Sequence, residues 1–187
     1  MTRRNRKLCV AIARDVLEQL RLKRYAAKQD TYVQVFSEEG MLCSQRYDDE
    51  GDKSFKDFFA EKQRTTCKVC ALGAAFVSLV NLKNDCSVNE MVADIDRDRL
   101  EDIFGNDNLN LMESAFEKCE MGNSMMIDED EHSLEAAGDW GNQYAYSNER
   151  LRAIMLNVIR NNGDFKLPKK YAIMAKRLRR EDNEYAF

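Results

Sequence analysis

Apolar residues recur at intervals of three and four along the first part of the chain. Leu8, Ile12, Val16 and Leu20 keep this spacing, and charged residues fill many of the positions between them. Such a pattern is typical of a helix that buries one face. We therefore predict an amphipathic helix over residues 6–27.

The most apolar run of the chain, RTTCKVCALGAAFVSLVNL, covers residues 64–82. From residue 67 onward it is apolar on nearly all sides of a helix, which predicts burial by neighbours on most sides. Thr65 or Thr66 is a suitable N-cap. Gly73 and the alanines around it leave a smooth surface that lets neighbouring helices come close. This run predicts the central helix of the fold.

Shorter patterns predict an extended segment and further helices. Residues 31–36, TYVQVF, are rich in β-branched and aromatic residues and precede a Glu-Glu-Gly turn, so we predict a small β-hairpin over residues 31–45. The other predicted helices are a short one capped by Ser54, 97–105 closed by Gly105, 106–120 capped by Asp107 or Asn108, 148–162 capped by Ser147 and ended by Gly163, and a last one opened by Pro168.

These elements predict a mainly α fold, with a single domain over residues 1–187. It is a bundle of about six helices around the buried central helix, with a small β-hairpin. A chain of 187 residues can remove roughly 70% of its unfolded surface from water, so it can form a core without cross-links. Residues 121–146 show neither the helical nor the strand period. They are predicted to form a long loop, and such loops are often functional.

The formal net charge of −4 conceals an uneven distribution. Residues 1–28 contain nine Lys or Arg and two acids, and residues 166–187 contain seven Lys or Arg and three acids. Residues 29–165 between them contain 13 Lys or Arg and 28 acids. The favoured interpretation is that the basic terminal helices pack beside the acidic body and reduce its self-repulsion. The alternative is that a basic face contacts nucleic acid. The residues of that face would be Arg3, Arg4, Lys169, Lys170, Arg177, Arg179 and Arg180.

The sequence also predicts the compartment. No run approaches the roughly 18–20 apolar residues that a membrane-spanning helix needs. The basic N-terminus meets Arg14 and Asp15 where a signal peptide would keep its apolar stretch. With no sign of export, the six cysteines are predicted to be reduced and mostly buried. We therefore expect a cytoplasmic protein.

Three segments, CKVCALGAAF, NLMESAFE and NERLRAIMLNVIRNNGDFKLP, resemble a family of small proteins seen in bacteriophage genomes and phage-like metagenomic sequence. A more distant resemblance is to small bacterial proteins that share a Cys-x-x-Gly-Ala helix and a later acidic or Asn-containing loop before a helix. The similarity covers most of residues 5–168. It implies a phage accessory protein in the cytoplasm of the host bacterium, a class that includes inhibitors and sponges acting on host defences. It carries over no catalytic residues.

Cys67 and Cys70 form the only closely spaced cysteine pair. A structural zinc site typically takes two such pairs, so Cys43, Cys86, Cys119 or His132 would have to complete it through the tertiary fold. A thioredoxin-like dithiol lies between a strand and a helix, whereas the preceding FKDFFAEKQR is predicted to be helical. With Thr66 as cap, Cys67 would lie in the first turn, where the helix dipole favours a thiolate. Packing in the core remains the favoured role, with zinc as a weaker alternative.

His132 is the only histidine and lies in the acidic stretch IDEDEHS. A Cys-His or Ser-His-Asp enzyme would have to use it, but neighbouring carboxylates favour its protonated form, which suits a general base poorly. The acidic residues could bind a divalent cation. However, DIDRDRLEDIFG, residues 94–105, lacks the glycine and final glutamate of a helix-loop-helix calcium loop. A solvated acidic loop is the favoured interpretation.

The stretch GDWGNQYAY places the only tryptophan and two tyrosines beside two glycines in the predicted loop. Aromatic side chains in loops offer stacking faces with polar tips, and they are frequent in binding sites. The competing interpretation is that Trp140 plugs the helix bundle. The candidate binding residues are Asp139, Trp140, Asn142, Tyr144 and Tyr146.

Three classes of function follow from these observations. The favoured one is a non-enzymatic phage protein that binds a host protein or a small signalling ligand, and so inhibits or sequesters part of a host defence. The first alternative is a nucleic-acid-binding module that uses the basic terminal helices. The second is a cysteine- or metal-dependent enzyme that uses Cys67, Cys70 or His132.

Overall fold

A computed structural model describes residues 2–36, 66–83, 93–117 and 131–185. Several sequence predictions lie outside these residues: the helix capped by Ser54, the second hairpin strand near residues 41–45 with its Glu-Glu-Gly turn, the acidic residues 128–130 before His132, and the candidate zinc ligands Cys43, Cys86 and Cys119. The structure is mainly helical, as predicted, with a small sheet.

Seven helices lie in the described residues, against the predicted total of about six. In chain order they are α1 (Arg3–Arg21), α2 (Ala71–Lys83), α3 (Ala93–Phe104), α4 (Asn106–Phe116), α5 (Glu131–Asn142), α6 (Ser147–Arg160) and α7 (Lys169–Tyr185). Among the described residues, no helix is both long and apolar enough to cross a membrane.

Three short strands form a sheet in the order β1-β3-β2. The strands are β1 (Tyr25–Ala27), β2 (Val33–Phe36) and β3 (Thr66–Val69). The central β3 runs parallel to β1, with Ala26 opposite Lys68, and antiparallel to β2. The predicted extended segment 31–36 is confirmed over residues 33–36, but its partner in the described residues is β3, and this antiparallel pair encloses residues 37–65.

The central helix was predicted to begin near Cys67, and this boundary is wrong. Thr66–Val69 is a strand in which Cys67 and Val69 are buried and Lys68 is half-buried. The backbone N–H of Cys70 then donates to the Thr31 carbonyl at 2.7 Å, which holds this end of β3 against the turn before β2. The helix starts only at Ala71.

Burial of α2 is as complete as its composition predicts. All ten residues from Ala71 to Val80 are buried. Gly73 lies directly against the backbone of Tyr32: a Cβ built on Gly73 would be 1.7 Å from the Tyr32 carbonyl oxygen. The small residues therefore bring the strand connection, rather than another helix, into contact with α2 at this point.

Helix α1 is shorter than the predicted 6–27. It begins at Arg3, where the Thr2 hydroxyl accepts a hydrogen bond from the Asn5 N–H at 3.2 Å, and ends at Arg21. Lys23 has a φ of 58°, a left-handed conformation that turns the chain into β1. The predicted helix extended past this turn because Tyr25, in β1, is buried in the same core. Its hydroxyl lies 3.3 Å from the Ser78 hydroxyl.

Helix α5 occupies part of the region that was predicted to be a loop. Its buried side consists of Ala136, Ala137, Gly138, Trp140 and Gly141, so it lacks the leucine and isoleucine period that marks α1 and α6. Small residues suit close packing instead, because a Cβ on Gly141 would be 1.8 Å from the Ala115 carbonyl oxygen of α4. The loop prediction for residues 131–142 is therefore wrong.

Helices α4, α6 and α7 begin close to their predicted positions, and α4 and α6 have caps that differ from the predicted ones. Gly105, with a φ of 81°, precedes α4 as its N-cap, whereas the sequence predicted Asp107 or Asn108. Ser147 is the first residue of α6 rather than its cap. Pro168 immediately precedes α7, and its carbonyl accepts from the Tyr171 and Ala172 N–H groups.

Candidate binding grooves

Trp140 lies at the centre of the predicted aromatic segment, on α5 rather than in a loop. Only 5% of it is exposed. Its ring meets Tyr144 edge-on, with centroids 5.5 Å apart, and Phe165 edge-on at 5.2 Å. Such edge-to-face pairs stabilise the packing beyond the area they bury. Trp140 therefore plugs the helix bundle, and its remaining surface contributes to the groove beside it.

An open groove of about 700 Å³ runs between the end of α5, the outer side of α6 and the start of α7. Its apolar lining consists of Trp140, Tyr144, Ala153, Leu156, Pro168 and Tyr171. Its polar lining consists of Gln143, Glu149, Arg152, Asn157, Arg160 and Asn161. A mixture of apolar surface with a few polar groups is typical of binding sites. We call it the α6–α7 groove.

Asn157 fixes one wall of the α6–α7 groove. Its side-chain amide donates to the Lys166 carbonyl at 2.8 Å, and its side-chain oxygen accepts from the Lys166 N–H at 2.9 Å. The same oxygen accepts from the Asn161 side-chain amide at 2.8 Å. These bonds tie the connection before Pro168 to α6, so the groove is formed without a partner.

A second groove of about 480 Å³ lies on the other side of α6, against α1. Glu149, Arg152 and Leu156 line both grooves, so α6 forms the ridge between them. The α1 side of this α1–α6 groove consists of Arg14, Leu17, Glu18, Leu20 and Arg21. The basic N-terminal helix therefore packs beside α6 and contributes arginines to a concave surface.

The structure brings together only part of the predicted binding set. Trp140 and Tyr144 line the α6–α7 groove. Asp139, Asn142 and Tyr146 are exposed and lie outside its lining, and Tyr146 is 70% exposed. The α6 and α7 residues of the groove were not predicted, because their helical spacing indicates a buried and an exposed face but not which part of the exposed face is concave.

Arg150 is a buried charged residue that the sequence did not single out. It is 4% exposed, and its guanidinium donates to the carbonyl of Phe116 at 2.8 Å and to that of Tyr144 at 3.2 Å. The end of α4 and the connection between α5 and α6 are therefore held by one side chain. Burial lowers the pKa of Arg150, and the Glu117 carboxylate opposes this shift.

The cysteine pair lies at a junction between a strand and a helix. Cys67 is in β3, so its predicted place in the first turn of a helix is wrong. The pair lies at the junction of β3 and α2, the position that a dithiol would take, and the predicted helix of FKDFFAEKQR lies outside the described residues. Cys67 and Cys70 are both buried thiols. Burial raises the pKa of Cys70 to about 11, although the Gly73 N–H donates to its sulfur. Burial therefore disfavours a Cys70 thiolate.

His132 lies in the first turn of α5 and is half-buried. Within the described ranges, no three His, Cys, Asp or Glu side chains come together in a group suited to a metal ion. The segment 94–105, whose acidic residues were considered for a calcium loop, is helical up to Phe104.

The raised thiol pKa leads to a prediction about alkylation. With a pKa of about 11, Cys70 is about 0.1% thiolate at pH 8, and Cys9, whose pKa burial raises to about 12, is less ionised still. We expect iodoacetamide to label Cys70 of the native protein about 100-fold more slowly than that of the unfolded protein, and Cys9 more slowly still. Peptide mapping by mass spectrometry measures both rates. Fast labelling of native Cys70 would favour the thiol enzyme.

The candidate nucleic-acid residues fall on two separate helices. Arg3 and Arg4 are exposed at the start of α1. Along α7, Lys169, Lys170, Arg177 and Arg180 are exposed, whereas Arg179 is half-buried and points to a different side of the helix. Helix α7 packs against α5, and α1 packs against α2, α3 and α6.

Comparisons with known proteins place no constraint on the site: no family model, no curated protein and no solved structure matches this chain. The resemblance to phage proteins therefore stays a prediction.

Proposed function

We propose that this chain acts by binding a partner in the two grooves that flank α6. The observation that carries this proposal is the concave surface itself, which combines half-buried apolar side chains with exposed arginines on one helix. Ala153 and Leu156 turn toward the grooves, although an isolated surface helix would place polar residues there. Residues of this kind are typical of a surface that a partner covers.

The rigidity of the grooves supports binding further. Asn157 holds the connection before Pro168, and Trp140 packs between two aromatic rings on the floor side. A surface that is already ordered loses little conformational entropy when a partner binds. The raised pKa of Cys70 gives less support to the enzyme alternative, because a thiol nucleophile must ionise.

The biological setting of the proposal rests on the resemblance to phage proteins. We propose an accessory protein that works in the cytoplasm of an infected bacterium and inhibits or sequesters a component of its defences. Fold and grooves alone are compatible with many functions, so this part of the proposal depends on identifying the occupant.

Replacement of Ala153 by tryptophan tests the grooves directly. Ala153 is half-buried in the α6–α7 groove, so the larger side chain should fill the site that a partner needs. We expect untagged wild-type protein, purified from a bacterial host, to retain an occupant in native mass spectrometry, and we expect Ala153→Trp to lose at least about 90% of it.

Asn106→Trp serves as the matched control, because Asn106 is exposed at the start of α4 and lies outside both grooves. It should retain the occupant as the wild type does. Thermal melts followed by circular dichroism establish that both variants fold. An occupant that remains on folded Ala153→Trp contradicts the proposal.

A further inference from the structure

We infer that the occupant of the two grooves is an acidic, amphipathic helical segment of a partner protein. This inference deepens the proposed function and rests on it, since it concerns the same surface. It follows from the apolar residues on the floor of the grooves, from the arginines around them, and from the spacing of these residues along α6.

The part of the groove floor that α1 and α6 form is aliphatic. Leu17 and Leu20 of α1 and Ala153 and Leu156 of α6 are all half-buried, and each lines at least one groove. Leu156 lines both grooves and lies at the centre of the surface. Aliphatic floors between two helices suit the apolar face of a third helix, which is the usual arrangement when a peptide helix binds in a groove.

The rim of the grooves is basic, although the body of the chain is acidic. Arg14, Arg21, Arg152 and Arg160 line the grooves, against the acids Glu18 and Glu149. Arg14 and Arg21 belong to the basic segment 1–28, whereas Arg152 and Arg160 belong to residues 29–165, which contain 28 acids and only 13 Lys or Arg. Glu18 forms an ion pair with Arg21 at 2.6 Å, which leaves the other three arginines as the main positive groups.

The spacing of these groups matches a helical partner. Arg152, Leu156 and Arg160 follow each other at intervals of four along α6, so the two arginines are about 12 Å apart along the helix axis. Carboxylates seven or eight residues apart on a partner helix span the same distance, with apolar side chains between them on the adjoining face. A partner helix that lies along α6 would therefore place acids against both arginines and apolar residues against Leu156.

An acidic peptide fits this surface better than nucleic acid does. A nucleic acid would place part of its phosphate backbone over Leu17, Leu20 and Leu156, whose side chains offer no hydrogen-bond donors. The whole chain also carries a net charge of −4, which disfavours a densely charged polyanion at long range. Charge complementarity with an amphipathic helix requires only a few acids near the rim.

Selection from a displayed library of random 16-residue peptides tests the inference on the full chain. We expect the wild type to enrich peptides of net negative charge that carry Leu, Ile, Phe or Met at helical spacing and acids seven or eight residues apart. Against a labelled peptide from this set, the double variant Arg152→Glu/Arg160→Glu should bind at least about tenfold more weakly in fluorescence anisotropy. The affinity of the wild type should also fall with added salt.

The equal-charge control is Lys176→Glu/Arg180→Glu, which alters exposed positions on α7 outside both grooves and should bind as the wild type does. No enrichment, enrichment of neutral or basic peptides, or unchanged binding to Arg152→Glu/Arg160→Glu overturns the inference. Binding of a labelled 20-nucleotide single-stranded RNA that is lost in that double variant also overturns the inference. The arginines of the rim would then bind nucleic acid.

The same selection separates failure of the inference from failure of the proposed function. If the enriched peptides are not acidic but bind Ala153→Trp more weakly than the wild type, the inference of an acidic helix fails. The grooves then remain the binding site. Enriched peptides that bind Ala153→Trp as tightly as the wild type place binding elsewhere, and both proposals then fail.

Discussion

Replacing Gly73 by alanine is expected to destabilise the protein by about 3–5 kcal/mol, even though alanine is the better helix former. The added Cβ would lie 1.7 Å from the Tyr32 carbonyl oxygen and 2.7 Å from the Tyr32 carbonyl carbon. Both are backbone atoms, so no side chain can rotate away. The connection between β1 and β2 would have to move off α2 and break the hydrogen bond from the Cys70 N–H to the Thr31 carbonyl.

The sign of the effect makes this prediction decisive. Helix propensity alone predicts that Gly73→Ala stabilises the chain by about 1 kcal/mol, whereas the close contact predicts a large loss. Urea unfolding followed by circular dichroism measures the free energy of unfolding. Asn81→Ala, on the exposed last turn of α2, should change it by less than about 0.5 kcal/mol. A Gly73→Ala protein as stable as the wild type would refute the predicted contact with Tyr32.

Replacing Arg150 by methionine is expected to lower the free energy of unfolding by about 2–3 kcal/mol. Methionine keeps an unbranched apolar side chain and good helix propensity, but it removes both donors that bind the Phe116 and Tyr144 carbonyls. The Phe116 carbonyl still accepts a hydrogen bond from the Gln29 side-chain amide at 3.1 Å. The loss of the guanidinium should therefore affect the Tyr144 carbonyl more than the Phe116 carbonyl. Because Tyr144 lines the α6–α7 groove, its connection should also become more mobile.

Arg152→Met is the matched control for Arg150→Met. It removes a guanidinium from the same helix at an exposed position, and it should change stability by less than about 0.5 kcal/mol. Urea unfolding compares the two variants, and hydrogen exchange at residues 143–146 reports the local effect. Equal stability of the two variants would mean that Arg150 does not hold these segments together.

The parts of the fold that the sequence predicted well are those with one strongly apolar face. Helix α6 shows Leu151, Ile154, Met155 and Val158 at helical spacing, and all four are buried. Strand β3 was missed because four residues of strand run directly into an apolar helix, and a continuous apolar run does not separate the two. Helix α5 was missed because its buried face is mostly alanine and glycine, which gives little periodic contrast.

The candidate site was predictable only in part, and the reason is geometric. Trp140 and Tyr144 stood out through their residue type, and both line the α6–α7 groove. Arg152, Leu156 and Arg160 are ordinary residues on the exposed side of a helix in the sequence. They form a site only because α1 and the start of α7 rise on either side of α6, and that arrangement depends on tertiary packing.

Comparison of native masses shows whether the grooves beside α6 hold a partner. Wild type, Ala153→Trp and Asn106→Trp would be purified untagged from the same bacterial host and compared with their denatured masses. We expect added mass on wild type and Asn106→Trp that is lost on folded Ala153→Trp. Added mass that remains on all three proteins would contradict this expectation, because the occupant would then bind elsewhere.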